Sequence, residues 1–140
     1  MEQLLVHGLA DFFLTQGTYQ ALNKSKRTAP ALLHAALYTA CFLLLTRSFW
    51  ALFVIGFTHF LIDRFSLPKY LIFAKERAFN PKSWHRPWKN CNLTGYFDQP
   101  TADFNAACPD CRPLHLTIFL YIVTDNLFHL TINYLALRLL

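Results

Sequence analysis

Four apolar segments, separated by short polar or basic stretches, dominate the hydrophobic pattern of the chain. They cover residues 4–22, 30–46, 48–65 and 114–137. Roughly 20 residues of helix cross the hydrocarbon core of a bilayer, and Pro30 suits the first turn of a helix. The pattern therefore predicts one membrane domain over residues 1–140, with helices at about 3–22, 30–46, 48–67 and 114–138.

The composition supports the same fold class. Hydrophobic residues make up 54% of the chain and charged residues 15%, against about 25% charged residues in an ordinary soluble domain. We therefore expect an all-α protein: an integral membrane four-helix bundle with a long, partly irregular cytoplasmic connection between the third and fourth helices. The alternative is an all-helical protein whose apolar segments form its own core.

The basic residues predict an orientation for this bundle. Most of the 13 Lys and Arg residues lie in two connections, between the first and second segments and between the third and fourth. Short basic loops stay in the cytoplasm, so the sequence predicts a multi-pass protein of the bacterial inner membrane with both termini outside. The lipid bilayer is the expected partner, nucleic acid is not expected without a continuous basic face, and a homo-oligomer stays open.

Polar groups recur inside the apolar segments with a fixed spacing. A His and an Asp stand four residues apart in three of them, so each pair shares one helix face. Such groups are costly in apolar surroundings and are expected to converge on the bundle interior. Because imidazole nitrogen and carboxylate oxygen bind Zn, Mn or Fe, the pattern predicts a divalent metal held by His7, Asp11, His34, His59, Asp63, Asp125 and His129.

The other polar residues near these segments receive supporting roles. The first-choice ligands are His59, Asp63, Asp125 and His129, and the remaining three complete a second position or support the first. Hydrogen bonds to the ligands are expected from Gln16, Asn126 and Asn133, and steering of an anionic headgroup from Lys24 and Lys69. Two alternatives stay open, a hydrogen-bond network without metal and an ion or proton pathway.

The connection over residues 80–113 is rich in Cys, Trp and Pro. It contains a C-P-D-C motif, a further cysteine and a histidine, which is the ligand count of a small structural zinc site. The sequence therefore predicts a second metal site, with zinc, at His85, Cys91, Cys108 and Cys111. A disulfide and ordinary loop cysteines are the alternatives.

Four stretches together resemble a known family. "HGLADFFLTQGTYQALNK", "LLHAALY", "GFTHFLIDRFSLPK" and "VTDNLFHLTINY" are similar to the domain-of-unknown-function family 3307, small membrane proteins of bacteria and their phages. The resemblance implies that His7, Asp11, Gln16, Lys24, His34, His59, Asp63, Lys69, Asp125, Asn126 and His129 occupy the family's pattern. More distantly, "GFTHFLID" resembles an element of the predicted membrane-bound metal-dependent hydrolases, whose D-x-D-H and H-R-G-x-T-H elements this chain lacks.

These observations lead to a function that depends on the membrane. A bound metal would activate a water, and the expected substrate is a lipid or a lipid-linked phosphate, so a membrane-embedded hydrolase is one interpretation, with catalysis left open. The alternatives are a non-enzymatic phage or bacterial membrane protein that alters the host envelope by binding a host membrane protein, and an ion or proton pathway.

Overall fold

The computed structural model describes residues 2–14, 19, 23–79 and 114–140, and these are mostly helical, with no strand among them. Two compact units make up the chain: the first comprises Met1–Leu67 and Asp125–Leu140, and the second comprises Pro68–Thr124. The elements in chain order are α1 (Glu2–Gly8), a π-helix (Leu9–Leu14), α2 (Thr28–Phe42), α3 (Phe49–Phe65), α4 (Leu67–Phe79) and α5 (Leu114–Leu139).

Local sequence sets the ends of α2 and α3. Pro30 lies in the first turn of α2, where a missing N–H costs no helical hydrogen bond. The Ser48 hydroxyl accepts a hydrogen bond from the Ala51 N–H at 3.4 Å and caps α3. Ser66 ends α3 in the left-handed region, at φ 49°, and this residue separates α3 from α4.

The core of the first unit joins α1, α2, α3 and the end of α5. Its buried apolar residues are Val6, Ala10, Tyr38, Phe42, Ile55 and Ala136. Helices α2 and α3 approach closely at Gly56, where a Cβ atom would lie 2.5 Å from Thr39 Oγ1. Because α2 and α3 pack this tightly, the rings of His34 and His59 lie with their centroids 5.1 Å apart.

The second unit contains most of α4 and the beginning of α5. Helix α4 occupies residues that the sequence pattern placed in the connection after the third helix. Pro68 and Ile72 are its buried positions among those described. The predicted zinc ligands of the 80–113 connection lie outside the described residues.

The prediction of an integral membrane four-helix bundle is wrong. Helices α2 and α3 contain 15 and 17 residues. Helix α5 contains 26 residues, but polar residues interrupt its apolar sequence at Asp125, His129 and Asn133. None of the described helices combines the length and the apolar character needed to cross a membrane. The multi-pass inner-membrane location with both termini outside is corrected with it. The three membrane-based functions are wrong as well, because each requires spanning helices: the lipid-phosphate hydrolase, the host-envelope factor and the ion or proton pathway.

Candidate metal centre

Helices α3 and α5 bring two imidazoles and one carboxylate together inside the first unit. His59 Nε2 lies 3.1 Å from Asp63 Oδ2, and His129 Nε2 lies 3.6 Å from Asp63 Oδ1. The three residues are 1%, 4% and 1% exposed in the order His59, Asp63, His129. One potential ligand atom from each lies within 4.8 Å of the others, so this group has the geometry to hold a metal ion.

Several polar atoms of this group are buried without a well-directed partner. His59 Nε2, His129 Nε2 and Asp63 Oδ2 make no contact of hydrogen-bond geometry with any described residue, although the N···O distances are short. Buried polar side-chain atoms in proteins have a partner in the large majority of cases. The three atoms are therefore suited to bind one shared metal ion, which accepts an electron pair from each of them.

A second group lies beside the first and shares His59 with it. The π-helix carries Asp11, whose Oδ1 lies 3.1 Å from His34 Nε2 of α2. Asp11, His34 and His59 also place one potential ligand atom each within 4.8 Å of the others. Helical segments widened to a π-helix are frequent at functional sites, and here the π-helix places the Asp11 carboxylate beside His34.

Lys24 supplies a positive charge to both groups. Its Nζ lies 3.0 Å from Asp63 Oδ2, 3.3 Å from His34 Nε2 and 3.7 Å from Asp11 Oδ1. Burial alone would lower the pKa of Lys24, but the carboxylates of Asp63 and Asp11 outweigh it and raise the pKa above its ordinary value. The cluster therefore contains a permanent ammonium ion between two carboxylates.

The acids and imidazoles of the cluster respond differently to burial. Burial would raise the pKa of Asp63, but the neighbouring imidazoles of His59, His129 and His34 hold it well below its ordinary value. Burial lowers the pKa of His59 to about 4, despite the nearby carboxylate of Asp63. At neutral pH the group thus offers a carboxylate and a neutral imidazole, which are the protonation states that metal binding requires.

The pKa values of His34 and Asp125 are both raised, in contrast to those of His59 and Asp63. Burial would lower the pKa of His34, but its hydrogen bond to Asp11 and the nearby carboxylate of Asp63 outweigh burial and raise the pKa. Burial raises the pKa of Asp125 to about 6, and its Oδ1 lies 3.7 Å from His129 Nε2. Asp125 therefore stands at the edge of the first group and outside both potential ligand sets.

His7 belongs to a separate, fully paired network. Its Nε2–H donates to Asn126 Oδ1 at 2.8 Å, and its Nδ1 accepts from the Tyr38 hydroxyl at 2.6 Å. The Tyr38 oxygen in turn accepts a hydrogen bond from Asn133 Nδ2 at 2.6 Å. Asn126 thus bonds to His7 directly and Asn133 reaches it through Tyr38, and both ring nitrogens of His7 are engaged. That these asparagines support metal ligands stays a prediction.

Tyr38 is the site residue that sequence reasoning missed. It is wholly buried, and its ring stacks on that of His59 with centroids 3.7 Å apart and planes 12° apart. Its position one helical turn after His34 on α2 is the signal that was available. A tyrosine hydroxyl is usually hydrogen-bonded when buried, and Tyr38 connects His7 of α1 to Asn133 of α5.

The remaining predicted site residues are Lys69 and five residues that the structure does not describe. Lys69 is in α4, within the second unit, whereas Lys24 is in the cluster of the first. Gln16, His85, Cys91, Cys108 and Cys111 are outside the described residues. The zinc site in the 80–113 connection therefore stays a prediction.

Comparison of the chain with models of known protein families, with curated proteins and with solved structures finds no match. The resemblance to the domain-of-unknown-function family 3307 stays a prediction that depends on the quoted motifs alone. Any function must therefore be argued from the geometry of the His/Asp cluster.

Proposed function

We propose that this chain is a metal-binding protein in which His59, Asp63 and His129 hold one divalent transition-metal ion. The observation that carries this proposal is the set of three buried atoms, His59 Nε2, His129 Nε2 and Asp63 Oδ2, which lack a hydrogen-bond partner among the described residues. A buried unpaired polar group costs about 1–3 kcal/mol. One ion bonded to these three residues would remove that cost.

The neighbouring network around His7 supports a metal over a purely structural cluster. His7, Tyr38 and Asn133 form continuous, well-directed hydrogen bonds of 2.6 Å, and Asn126 completes them at 2.8 Å. The same fold therefore satisfies one buried histidine completely and leaves the Nε2 atoms of His59 and His129 unsatisfied. A cluster that served only to lock the helices together would be expected to resemble the first arrangement.

The donor set restricts the ion. Two imidazoles and one carboxylate suit Zn²⁺, Fe²⁺ or Mn²⁺, and three protein ligands leave a coordination position for water or a small molecule. Because His59 and Asp63 lie on α3 and His129 on α5, the ion would cross-link these two helices. Metal binding and the stability of the first unit would then depend on each other.

Elemental analysis of protein purified without a histidine tag tests the proposal. We expect close to one equivalent of Zn, Fe or Mn attributable to this site, and a loss of that equivalent in His59→Gln, Asp63→Asn and His129→Gln. His7→Gln is the matched control, since it replaces another buried histidine whose two nitrogens are already bonded. The difference between variants also separates this site from any zinc in the 80–113 connection.

Two results would overturn the proposal. One is a wild-type content below about one tenth of an equivalent after reconstitution with each ion, because the free energy of a structural metal site implies nearly full occupancy. The other is equal metal content in the wild-type protein and in His59→Gln and His129→Gln, with circular dichroism showing that the variants remain helical.

A further inference from the structure

The Lys24 ammonium group lies where a second metal ion would be bound. Three atoms surround its Nζ: Asp63 Oδ2 at 3.0 Å, His34 Nε2 at 3.3 Å and Asp11 Oδ1 at 3.7 Å. The side chain of Lys24 is 22% exposed, whereas those of His34 and Asp63 are 0% and 2% exposed. The ammonium therefore closes the more open side of an otherwise buried set of donors.

The Asp63 carboxylate lies between the two positions. Oδ1 lies 3.6 Å from His129 Nε2, while Oδ2 lies 3.1 Å from His59 Nε2, 3.1 Å from His34 Nε2 and 3.0 Å from Lys24 Nζ. A carboxylate in such a position can bridge two cations, as in sites where two metal ions lie about 3.5–4 Å apart. Asp63 Oδ2 is also buried and has no well-directed hydrogen bond from any described residue, so it is available to a cation on the Lys24 side.

Hydrogen bonds hold the backbone near Lys24 in place, but the long side chain of Lys24 can move away from the cluster. The Lys26 and Arg27 N–H groups both bond to the Asn23 carbonyl, at 3.0 and 2.9 Å, and Arg64 Nη1 of α3 donates to the Ser25 carbonyl at 2.8 Å. The turn is thereby held against α3. The lysine stem has four rotatable methylene groups and a strongly hydrated head, so the ammonium can move into solvent without disturbing this turn.

We propose that Asp11, His34 and Asp63 form a second divalent-cation position, and that the Lys24 ammonium fills this position and excludes a second metal ion. This inference depends on the proposed function, because His59, Asp63 and His129 supply the first position. The ammonium and a second metal ion cannot both lie between Asp11 Oδ1, His34 Nε2 and Asp63 Oδ2, since they would occupy the same space. The native chain would hold one metal ion and one lysine where other paired sites hold two metal ions.

Removal of the lysine charge tests this exclusion with Zn²⁺ as the probe. Wild-type protein, Lys24→Gln and Lys26→Gln are stripped with a chelator, loaded with Zn²⁺, freed of excess ion and analysed for zinc per chain. We expect Lys24→Gln to retain one equivalent more than the wild type. Lys26→Gln is the matched control, because Lys26 lies in the same turn with its side chain exposed, and its zinc content should equal that of the wild type.

A further substitution assigns the additional ion to this position. Adding His34→Gln to Lys24→Gln should return the zinc content to the wild-type value, whereas adding His7→Gln should not. Equal zinc in wild-type protein and Lys24→Gln would overturn the inference and leave the proposed function intact. If substitution of His59 and His129 did not change the zinc content, the proposed function itself would be overturned.

Chemical acetylation covers the case in which Lys24→Gln fails to fold, and it uses the native chain. Because the ion and the ammonium compete for one position, a millimolar excess of free Zn²⁺ should displace the ammonium that excludes the ion at lower concentration. The acetylation rate of Lys24 should then increase several-fold relative to that of Lys26, as read by mass spectrometry of peptides. An unchanged ratio at saturating Zn²⁺ would show that Lys24 and the ion do not compete.

Discussion

His59 and His129 share one hydrogen bond between their Nδ1 atoms, which lie 3.1 Å apart. In such a contact one ring must donate an N–H and the other must accept with a lone pair. Two neutral rings therefore differ in tautomer: the donor has a free lone pair on its Nε2, and the acceptor has its proton there. In the metal-free protein, only one of the two Nε2 atoms is ready to bind an ion.

This pairing predicts a change of tautomer when metal binds. Coordination through both Nε2 atoms requires both rings to carry their protons on Nδ1, so the proton of the acceptor ring moves from Nε2 to Nδ1. Two N–H groups cannot face each other at 3.1 Å, so the two Nδ1 atoms must then move apart. We expect nitrogen-15 NMR of the metal-free protein to show one ring of each tautomer and the Zn²⁺-loaded protein to show both rings protonated at Nδ1. His7, bonded at both nitrogens, should keep its spectrum and serves as the internal reference. Identical tautomers in the metal-free protein would contradict the prediction.

Metal binding should also stabilise the first unit. An ion that binds only the folded chain adds about 4 kcal/mol when its free concentration is a thousand times its dissociation constant. For a chain of this size, that corresponds to an increase of roughly 10 °C in the unfolding temperature. We expect this increase for wild-type protein and for His7→Gln, and its loss in His129→Gln, as measured by calorimetry with and without chelator. An equal increase in His129→Gln would show that the ion binds elsewhere.

The sequence predicted part of this site for reasons that are local. Residues four apart on a helix share a face, so the contact between His59 and Asp63, and the approach of His129 to Asp125, follow from spacing alone. That His and Asp groups converge into sets able to hold a metal ion was also predicted, from the cost of such groups in apolar surroundings. Five of the seven predicted ligands belong to these sets, all but His7 and Asp125. The structure confirms this much.

The hydropathy of a segment alone could not distinguish a membrane-spanning helix from a helix of a protein core. Both kinds of helix contain apolar residues, and they differ in helix length and in how often polar residues interrupt the apolar sequence. Helices α2 and α3 are shorter than the apolar runs suggested. The roles of Tyr38 and Lys24 were also not readable: Tyr38 joins residues 31 and 95 positions away, and Lys24 reaches the site through a turn.

The Tyr38 hydroxyl should contribute to stability but not to metal binding. Tyr38→Phe leaves His7 Nδ1 and Asn133 Nδ2 without their shared partner, and such buried losses cost about 1–3 kcal/mol. The ring that stacks on His59 remains, so the metal content should be unchanged. Urea unfolding and elemental analysis of the same sample measure both quantities.

Tyr134→Phe is the control for that substitution. The Tyr134 hydroxyl accepts a hydrogen bond from Arg138 at an exposed position, where substitutions usually change stability by less than about 0.5 kcal/mol. A loss of metal in Tyr38→Phe, with the fold retained, would mean that the hydroxyl acts on the ligands and not only on the His7 network.

His59 and Asp125 should give the metal-free protein two opposite dependences of stability on pH. The folded pKa of His59 is about 4, below its ordinary 6.5, so its contribution is complete above pH 6.5 and is lost as the pH falls towards 4. The folded pKa of Asp125 is about 6, above its ordinary 3.8, so its contribution is complete at low pH and is lost as the pH rises through 6. Between pH 4.5 and 6 the two slopes oppose each other, each up to about 1.4 kcal/mol per pH unit.

Single substitutions should therefore reveal slopes that the wild-type protein conceals. In His59→Gln the Asp125 term is no longer opposed by that of His59, and the free energy of unfolding should fall relative to the wild type as the pH rises from 4.5 to 6. In Asp125→Asn the His59 term is no longer opposed by that of Asp125, and the free energy should rise relative to the wild type over the same interval. Urea titrations in chelator at half-unit steps of pH measure these slopes, and the double variant should return to the shallow profile of the wild type. Slopes of the same sign in the two single variants would contradict the opposed effects of burial on this imidazole and this carboxyl group.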